Sequence, residues 1–539
     1  MEISNLSSML IFGDSTSHGI EQNSQVVQSL SKKESLPLTH QTIATSGLIL
    51  DYTKNQIDET AMSTLINLAK EKNIIKQRDA MYRGEKINTS ENRAVLHTAL
   101  RALKTANILL DGENIIPKIH HVLDKMRELT EQIHNGTWTG YTGKTITDIV
   151  NIGIGGSDLG PRMVCHALRH YHTGHINTHF IANIDGHELH HLLKHLKVET
   201  TLFIISSKSF KTQETLMNAK TVRNWILNAS QATEKDLAKH LIAVTANTKA
   251  AQNFGIPKNN IYPIWDWVGG RFSVWSAIGL PVMLTIGYNH FMAFLSGAHT
   301  MDIHFKHAPL EKNMPIILAL IGIWHINIKN RTTQIIAPYH EDLKYLPQWL
   351  QQLEMESNGK NIQKNGNPVT VNTAPLIIGS TGTNGQHSYF QHLHQGTIIS
   401  PVDFIAVLTP NHPYDAHHAL LLANCFAQSE ALMQGSQPNP TQNLKDKQKH
   451  LEGGRPSNTL LMNTLTPETL GALMALYEHK VFVQGVIWNV NSFDQMGVEL
   501  GKTLAADIYQ ELTEGSTLNH DVSTMGLVEL AKAALGKLA

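Results

Sequence analysis

Apolar residues recur at helical spacing early in the chain, where Met62, Leu65, Ile66 and Ala69 fall on one face and predict an amphipathic helix. Asn88 followed by Glu91 reads as an N-cap signal for a further helix through Ala94, Leu96 and Leu100. From about Ile146 the pattern changes. Short β-branched runs end in Gly, Ser or Thr: ITDIVNIGIGG (146–156), TLFIISS (201–207) and LIAVTAN (241–247). Each precedes a helical segment, and that alternation predicts parallel strands with crossover helices. Helices return after about Ile286. A second α/β series follows in PLIIGSTGTNG (375–385), VDFIAVLTP (402–410) and the stretch from Val481 to Val490. The Gln/Asn/Lys-rich segment from Gln434 to Lys449 reads as a solvated loop. The chain after Thr503 reads as a helical tail that caps its own domain or packs on a partner subunit. No solenoid period is present.

A chain of 539 residues is too long for one hydrophobic core and should divide into domains; its 41% hydrophobic content suffices for a core in each. Lys+Arg 44 against Asp+Glu 45 leaves a net charge of -1. That balance gives no general attraction for nucleic acid or an anionic membrane, so an anionic ligand must be met by a local cluster. Cys165 and Cys425 cannot form a disulfide framework; they read as small buried hydrophobes in a reducing cytoplasm. The start, MEISNLSSMLIFGDSTSHG, carries acid rather than base and is not read as a secretory signal. No run of eighteen apolar residues predicts a membrane span.

Six segments carry candidate chemistry. In NIGIGGSDLGP (151–161) a strand runs into Gly153, Gly155 and Gly156, and Ser157-Asp158 opens a helix with Pro161 in its first turn. Such a turn lets a ligand approach the backbone and offers free N–H groups to an anion; a structural glycine turn is the alternative. SSKSFKTQET (206–215) sets Ser207, Ser209, Thr212 and Thr215 around a strand-to-helix turn beside Lys208 and Lys211. Short hydroxyls there suit a tetrahedral oxyanion, although capping alone also favours Ser and Thr. In WDWVGGRFSVWSAIGLP (265–281), Arg271 sits in apolar surroundings and needs an anionic partner, as a buried ion pair or as the stabiliser of a developing oxyanion. QLEMESNGK (352–360) holds Glu354 and Glu356, two apart and so not on one helix face; one is expected to meet solvent and the other to turn inward as a base. GSTGTNGQHSYFQHLHQGT (379–397) delivers His387, a proton exchanger near neutral pH, from a loop after a strand; His392 and His394 read as helix-surface or core residues. VQGVIWNVNSFDQMGVELGK (483–502) places Gln495 and Lys502 on one face if its helix is continuous.

Three further matches fail. G-x-G-x-x-G would need Gly at Asp158, which removes a nicotinamide-dependent oxidoreductase. HELHH (187–191) matches H-E-x-x-H, but His is abundant, with 31 in the chain, and Lys194 breaks the metzincin extension. Gly143-Lys144-Thr145 and Gly501-Lys502-Thr503 lack the first glycine of a phosphate loop, having Trp138 and Met496 there.

Taken in order, these segments resemble the glucose-6-phosphate isomerase family. DYTKN (51–55), GEKIN with ENRAVLH (84–97), GIGGSDLGP (153–161), SKSFKTQET (207–215), DWVGGRFSVWSAIG (266–279), MESNGK (355–360), GTNGQH (382–387) and YEHKVFVQGVIWNVNSFDQMGVELGK (477–502) carry the resemblance over roughly residues 50–505. It implies an α/β fold of two sugar-isomerase-type, doubly wound parallel-sheet domains with helical additions. The expected division is a helical segment 1–115, a first α/β domain 116–285, a second 286–505 and a helical arm 506–539. It implies reversible isomerisation of glucose 6-phosphate and fructose 6-phosphate through ring opening and a cis-enediolate, in glycolysis and gluconeogenesis, without cofactor or metal. A cytoplasmic homodimer with shared active sites is expected, with a phosphosugar substrate and neither nucleic acid nor membrane as partner. Glu356 would shuttle the proton between C2 and C1. His387, from the other subunit, would help open the ring with Lys502, and Arg271 would stabilise the enediolate. Ser207, Ser209, Thr212 and Thr215 with Lys208 would hold the phosphate, while Gly156, Ser157 and Gln495 contact the sugar. A non-catalytic phosphosugar-binding regulator is the alternative; it would need no base. Lys211 departs from the family's usual Thr, Met496 from Trp and Gly454 from Asn.

Overall fold

The computed structural model describes residues 41–229, 232–436, 444–515 and 519–536. The reading of the first nineteen residues lies outside them, as does the centre of the segment 434–449, whose described end, Leu444–Lys449, is a helix rather than the expected loop. The chain forms two compact units, Met1–Ser492 and Phe493–Ala539. Both parallel sheets belong to the first unit, so the expected cut at 285/286 separates two sheets of one compact unit.

In chain order the strands are β1 (Thr42–Thr45), β2 (Leu48–Asp51), β3 (Leu109–Leu110), β4 (Glu113–Asn114), β5 (Asp148–Ile152), β6 (Asn177–Ile181), β7 (Thr201–Ser206), β8 (Leu241–Thr245), β9 (Ile261–Pro263), β10 (Thr333–Tyr339), β11 (Leu376–Gly379), β12 (Val402–Val407) and β13 (Ser457–Met462). The first sheet has the order β6-β5-β7-β8-β9 and is parallel throughout. Helices 159–167, 186–193, 213–227 and 248–253 follow its strands, as the alternation predicts. The central strands read as apolar runs because both faces are covered: every residue of β7 and β8 is buried. The second sheet has the order β1-β2-β13-β12-β10-β11, parallel from β13 to β11. The expected class, two parallel α/β sheets with helical additions, is the observed one.

Four local expectations are corrected. Among the described residues before Glu59 there is no α-helix: β1 and β2 form a hairpin that adds antiparallel strands to the second sheet beside β13. Its two-residue turn, Ser46-Gly47, has φ of 53 and 75, the positive pair that such hairpin turns require. The helix expected from Asn88 is absent. Asn88 and Arg93 exchange backbone hydrogen bonds of 3.2 and 3.1 Å across a tight loop, and Asn88 Nδ2 donates to Glu91 Oε2 at 2.7 Å, so the pair closes a turn instead of opening a helix. Val481–Val490 is no strand; it lies largely in the helix Pro467–Trp488, buried on every side. A helix covered all round has no polar face to mark its period. The helix beyond Gln495 begins only at Glu499, after a 3-10 turn Met496–Val498, so Gln495 and Lys502 do not share one continuous helix face. By contrast Met62, Leu65, Ile66 and Ala69 do lie on the helix Glu59–Glu71, capped by Asp58.

Candidate active site

Loops leaving the carboxyl ends of the first sheet build the site, the edge at which open α/β sheets receive ligands. β5 and β7 are parallel neighbours with Ile152 opposite Ile205, so the loop 153–158 and the loop 207–212 emerge side by side. Buried Asn151 ties them together: its Nδ2 donates to the Ser157 carbonyl at 3.0 Å and its Oδ1 accepts from Ser206 Oγ at 2.8 Å. The glycine loop touches a third loop, after β9. A Cβ at Gly156 would lie 2.1 Å from the Gly270 carbonyl carbon and oxygen and 2.7 Å from the Arg271 nitrogen. Only glycine permits that approach, which sets Gly156 against Arg271's backbone.

The hydroxyl-rich turn is ordered by one apolar anchor. Phe210 has φ 51, a strained value for an aromatic residue; its ring is buried, 5.9 Å from that of Phe254. Around it Ser207 Oγ and Thr212 Oγ1 lie 3.2 Å apart, and Ser209 Oγ accepts from the Lys211 nitrogen at 3.2 Å. Thr212 caps the helix Gln213–Leu227 with its backbone. Thr215, in the first turn, is buried, and its Oγ1 has no hydrogen-bond partner among the described residues. Free N–H groups and convergent hydroxyls make this turn suited to an oxyanion. Lys208 Nζ donates to the carbonyls of Asp266 (2.7 Å) and Val268 (2.8 Å). Burial, and then the charge of Arg93, lower its pKa to about 8.

Arg271 finds its anion. The buried guanidinium donates from Nη1 to Glu356 Oε2 at 3.1 Å, from Nε to Ser357 Oγ at 2.6 Å and from Nη2 to the Ser492 carbonyl at 2.7 Å. Gln352 Nε2 donates to the same Glu356 oxygen at 3.1 Å; Glu356 Oε1 accepts no hydrogen bond among the described residues. One carboxylate oxygen is thus fixed by two donors and the other is presented as a base. Glu356 ends a π-helical stretch, Gln351–Glu356, a widened turn common at functional positions. Of the two carboxylates the inward one is Glu354, which is buried and accepts from Lys480 Nζ at 2.7 and 2.6 Å, while Glu356 is partly exposed; the expectation that the inward one is the base is corrected.

His387 is exposed on the 3-10 turn Asn384–His387, in the loop after β11, and makes no hydrogen bond to the Glu356 cluster among the described residues. Gln495 and Lys502 belong to the second unit, where Lys502 Nζ meets Glu499 Oε1 at 2.8 Å on the helix Glu499–Glu514. HELHH lies on the helix Gly186–Leu193 with His187, His190 and His191 exposed. Glu188 accepts from the backbone nitrogens of Ala182 and Asn183, and among the described residues no group of three or more His, Cys, Asp or Glu is arranged to hold a metal ion.

Sequence reasoning missed Gln352, Ser357, Asn151 and Arg93. Gln352 stands four residues before Glu356, one helical turn, which was its available signal. Arg93 donates to Glu91 at 3.1 Å and lies 3.9 Å from the Asp266 carboxylate; only the fold brings it near Lys208.

A family model described as phosphoglucose isomerase matches residues 51–528. The chain is 52% identical over 500 residues to a glucose-6-phosphate isomerase of Cupriavidus taiwanensis, covering 91% of each chain. It is 50% identical over 498 residues to glucose-6-phosphate isomerase 1 of Neisseria meningitidis, covering 90% of this chain and 91% of the other. Its fold is similar to the crystal structure of a glucose-6-phosphate isomerase from Chlamydia trachomatis, with TM-score 0.83 and 32% identity over 95% of this chain and 98% of that one.

Proposed function

The chain belongs to the phosphoglucose isomerase family, and from that premise we propose that it interconverts glucose 6-phosphate and fructose 6-phosphate as a step of glycolysis and gluconeogenesis. The observation that carries the reading is the Glu356 carboxylate, clamped on one oxygen by Arg271 and Gln352 and open on the other.

The phosphate sits on Ser207, Ser209, Thr212 and Thr215 with Lys208. This grip lies away from the reacting carbons and supplies binding energy that fixes their orientation. His387 of a second subunit, assisted by Lys502, opens the ring. Glu356 then takes the proton from C2 and returns it to C1. As the proton moves, negative charge passes from Glu356 to the enediolate oxygen, and Arg271, already bonded to Glu356, stabilises it. Gly156, Ser157 and Gln495 contact the sugar. No step in this route needs a metal or a cofactor.

A cytoplasmic homodimer completes the proposal. Its support is the edge strand β11, which exposes Leu376 (55%) and Ile378 (47%) and leads directly into the loop bearing His387. Paired apolar side chains on an edge strand suit burial against another chain.

The test is a coupled assay with fructose 6-phosphate. Glu356→Gln should lower kcat by about 10²–10⁴-fold or more, the usual worth of a positioned base, with phosphosugar binding retained. Equal rates in the variant and the wild type would remove the mechanism; binding without turnover in the wild type would favour the regulator.

A further inference from the structure

The amino ends of the second sheet's parallel strands, the edge opposite the ligand-binding one, enclose a recess. It is lined by His325, Arg331, Thr333, Gln334 and Asn458 among apolar residues of helix 314–323 and by Pro375 and Pro401, and holds about one water-sized particle. The charges around it do not balance. Arg331 Nη1 lies 3.2 Å from His325 Nδ1. That ring cannot serve as a counter-ion: burial holds its pKa well below the ordinary value, and its other nitrogen pairs with Asn55 Oδ1 at 2.9 Å. Arg455, two residues before β13, is 4% exposed. Its Nε and Nη1 have no hydrogen-bond partner among the described residues, and its Nη2 reaches the exposed Glu452 carboxylate only at 3.5 Å. Burial and the nearby charge of Arg455 lower Arg331 to about 10.

The buried carboxylate of this region is already engaged. Asp403 accepts from Gln334 Nε2 (2.8 Å), Asn458 Nδ2 (2.7 Å) and Tyr477 OH (2.9 Å). A buried guanidinium whose anion is distant and exposed, as at Arg455, is weakly compensated, and the half-buried Arg331, with no carboxylate partner among the described residues, adds a second positive charge within its influence. We propose that this recess, lined by Arg331, binds a single monatomic anion of halide size. The lining holds one guanidinium, that of Arg331, and no carboxylate; the carboxylate of Asp403 is taken up by the amides of Gln334 and Asn458. The apolar walls suit a weakly hydrated anion, and the space excludes a tetrahedral oxyanion.

Anything that binds the folded state alone raises its stability with ligand concentration. The thermal midpoint of the full chain should therefore rise by several degrees, saturably, in sodium chloride and sodium bromide relative to sodium gluconate at equal ionic strength. Arg331→Gln, a change at a half-buried position outside the active site, should remove that difference while melting normally in gluconate. Crystals grown in bromide should show its anomalous peak in the recess. Equal midpoints in halide and gluconate, a halide effect that survives in Arg331→Gln, or no bromide peak would each overturn the proposal. So would a saturable, Arg331-dependent response to inorganic phosphate without one to halide.

Discussion

At Lys208 burial, and then the charge of Arg93, act against one ammonium group. With its pKa lowered to about 8, the free enzyme keeps this charge below pH 8 and loses it above. A phosphate dianion favours the charged form, so above pH 8 binding must first recover a proton. In the wild type, kcat/KM for fructose 6-phosphate should be near its plateau at pH 7, drop to about half by pH 8 and then fall by up to about tenfold per unit. In Lys208→Met it should be low throughout and lack this alkaline limb; an unchanged limb would assign the titration elsewhere. Lys211, exposed beside the same turn, adds charge where the family usually has Thr. Lys211→Thr should raise KM a few-fold and flatten its salt dependence, since exposed charges are screened within about 10 Å at 0.1 M salt. If both stay unchanged, Lys211 does not act on the phosphate. At this scale the sequence was readable where residue type alone constrains chemistry: an arginine among aromatics needs an anion, and four hydroxyls in one turn suit an oxyanion. Gln352 and Arg93 were not readable in that way, because their roles come from where the chain returns in space.

β5, β7, β8 and β12 were legible because a covered parallel strand is an apolar run ending in turn residues, as TLFIIS shows at β7; β6 and β10 were not named. The helix Pro467–Trp488 was not, since burial on all sides erased its period. Its cost of burial is visible at Lys480, which meets Glu354 of the π-helical stretch and Gln334 Oε1 at 3.3 Å. That pair pins the element carrying Glu356 to the central helix. Lys480→Met leaves a buried carboxylate unpaired and should destabilise the protein by about 3–5 kcal/mol, whereas Lys480→Met with Glu354→Leu should recover most of the loss. Urea unfolding of the three proteins checks this; a double variant no better than the single one would show that the pair contributes more than mutual neutralisation. β13, SNTLLM, escaped notice for the opposite reason: its polar positions serve the buried network of Asn458 and Asp403 rather than a solvated face.

For the whole molecule, the alternation of elements made two parallel sheets legible. The hairpin β1-β2 joining the second sheet was hidden, because pairing across roughly four hundred residues leaves no local signature. Assembly is a separate question with a direct test. If each active site takes Glu356 from one subunit and His387 from the other, Glu356→Gln and His387→Ala homodimers are both inactive. A mixed dimer then contains one site with Glu356 and His387 both intact and one with neither, as a two-fold interface demands. Dissociating and reassembling equal amounts of the two variants makes half the dimers mixed, so activity should return to about a quarter of the wild-type value. If His387 serves its own chain, every site in the mixture lacks one of the two groups, and mixing restores nothing. The exposed place of His387, on the turn that follows the apolar edge strand β11, favours recovery: a side chain that makes no hydrogen bond within its own subunit, among the described residues, is free to complete the site of another.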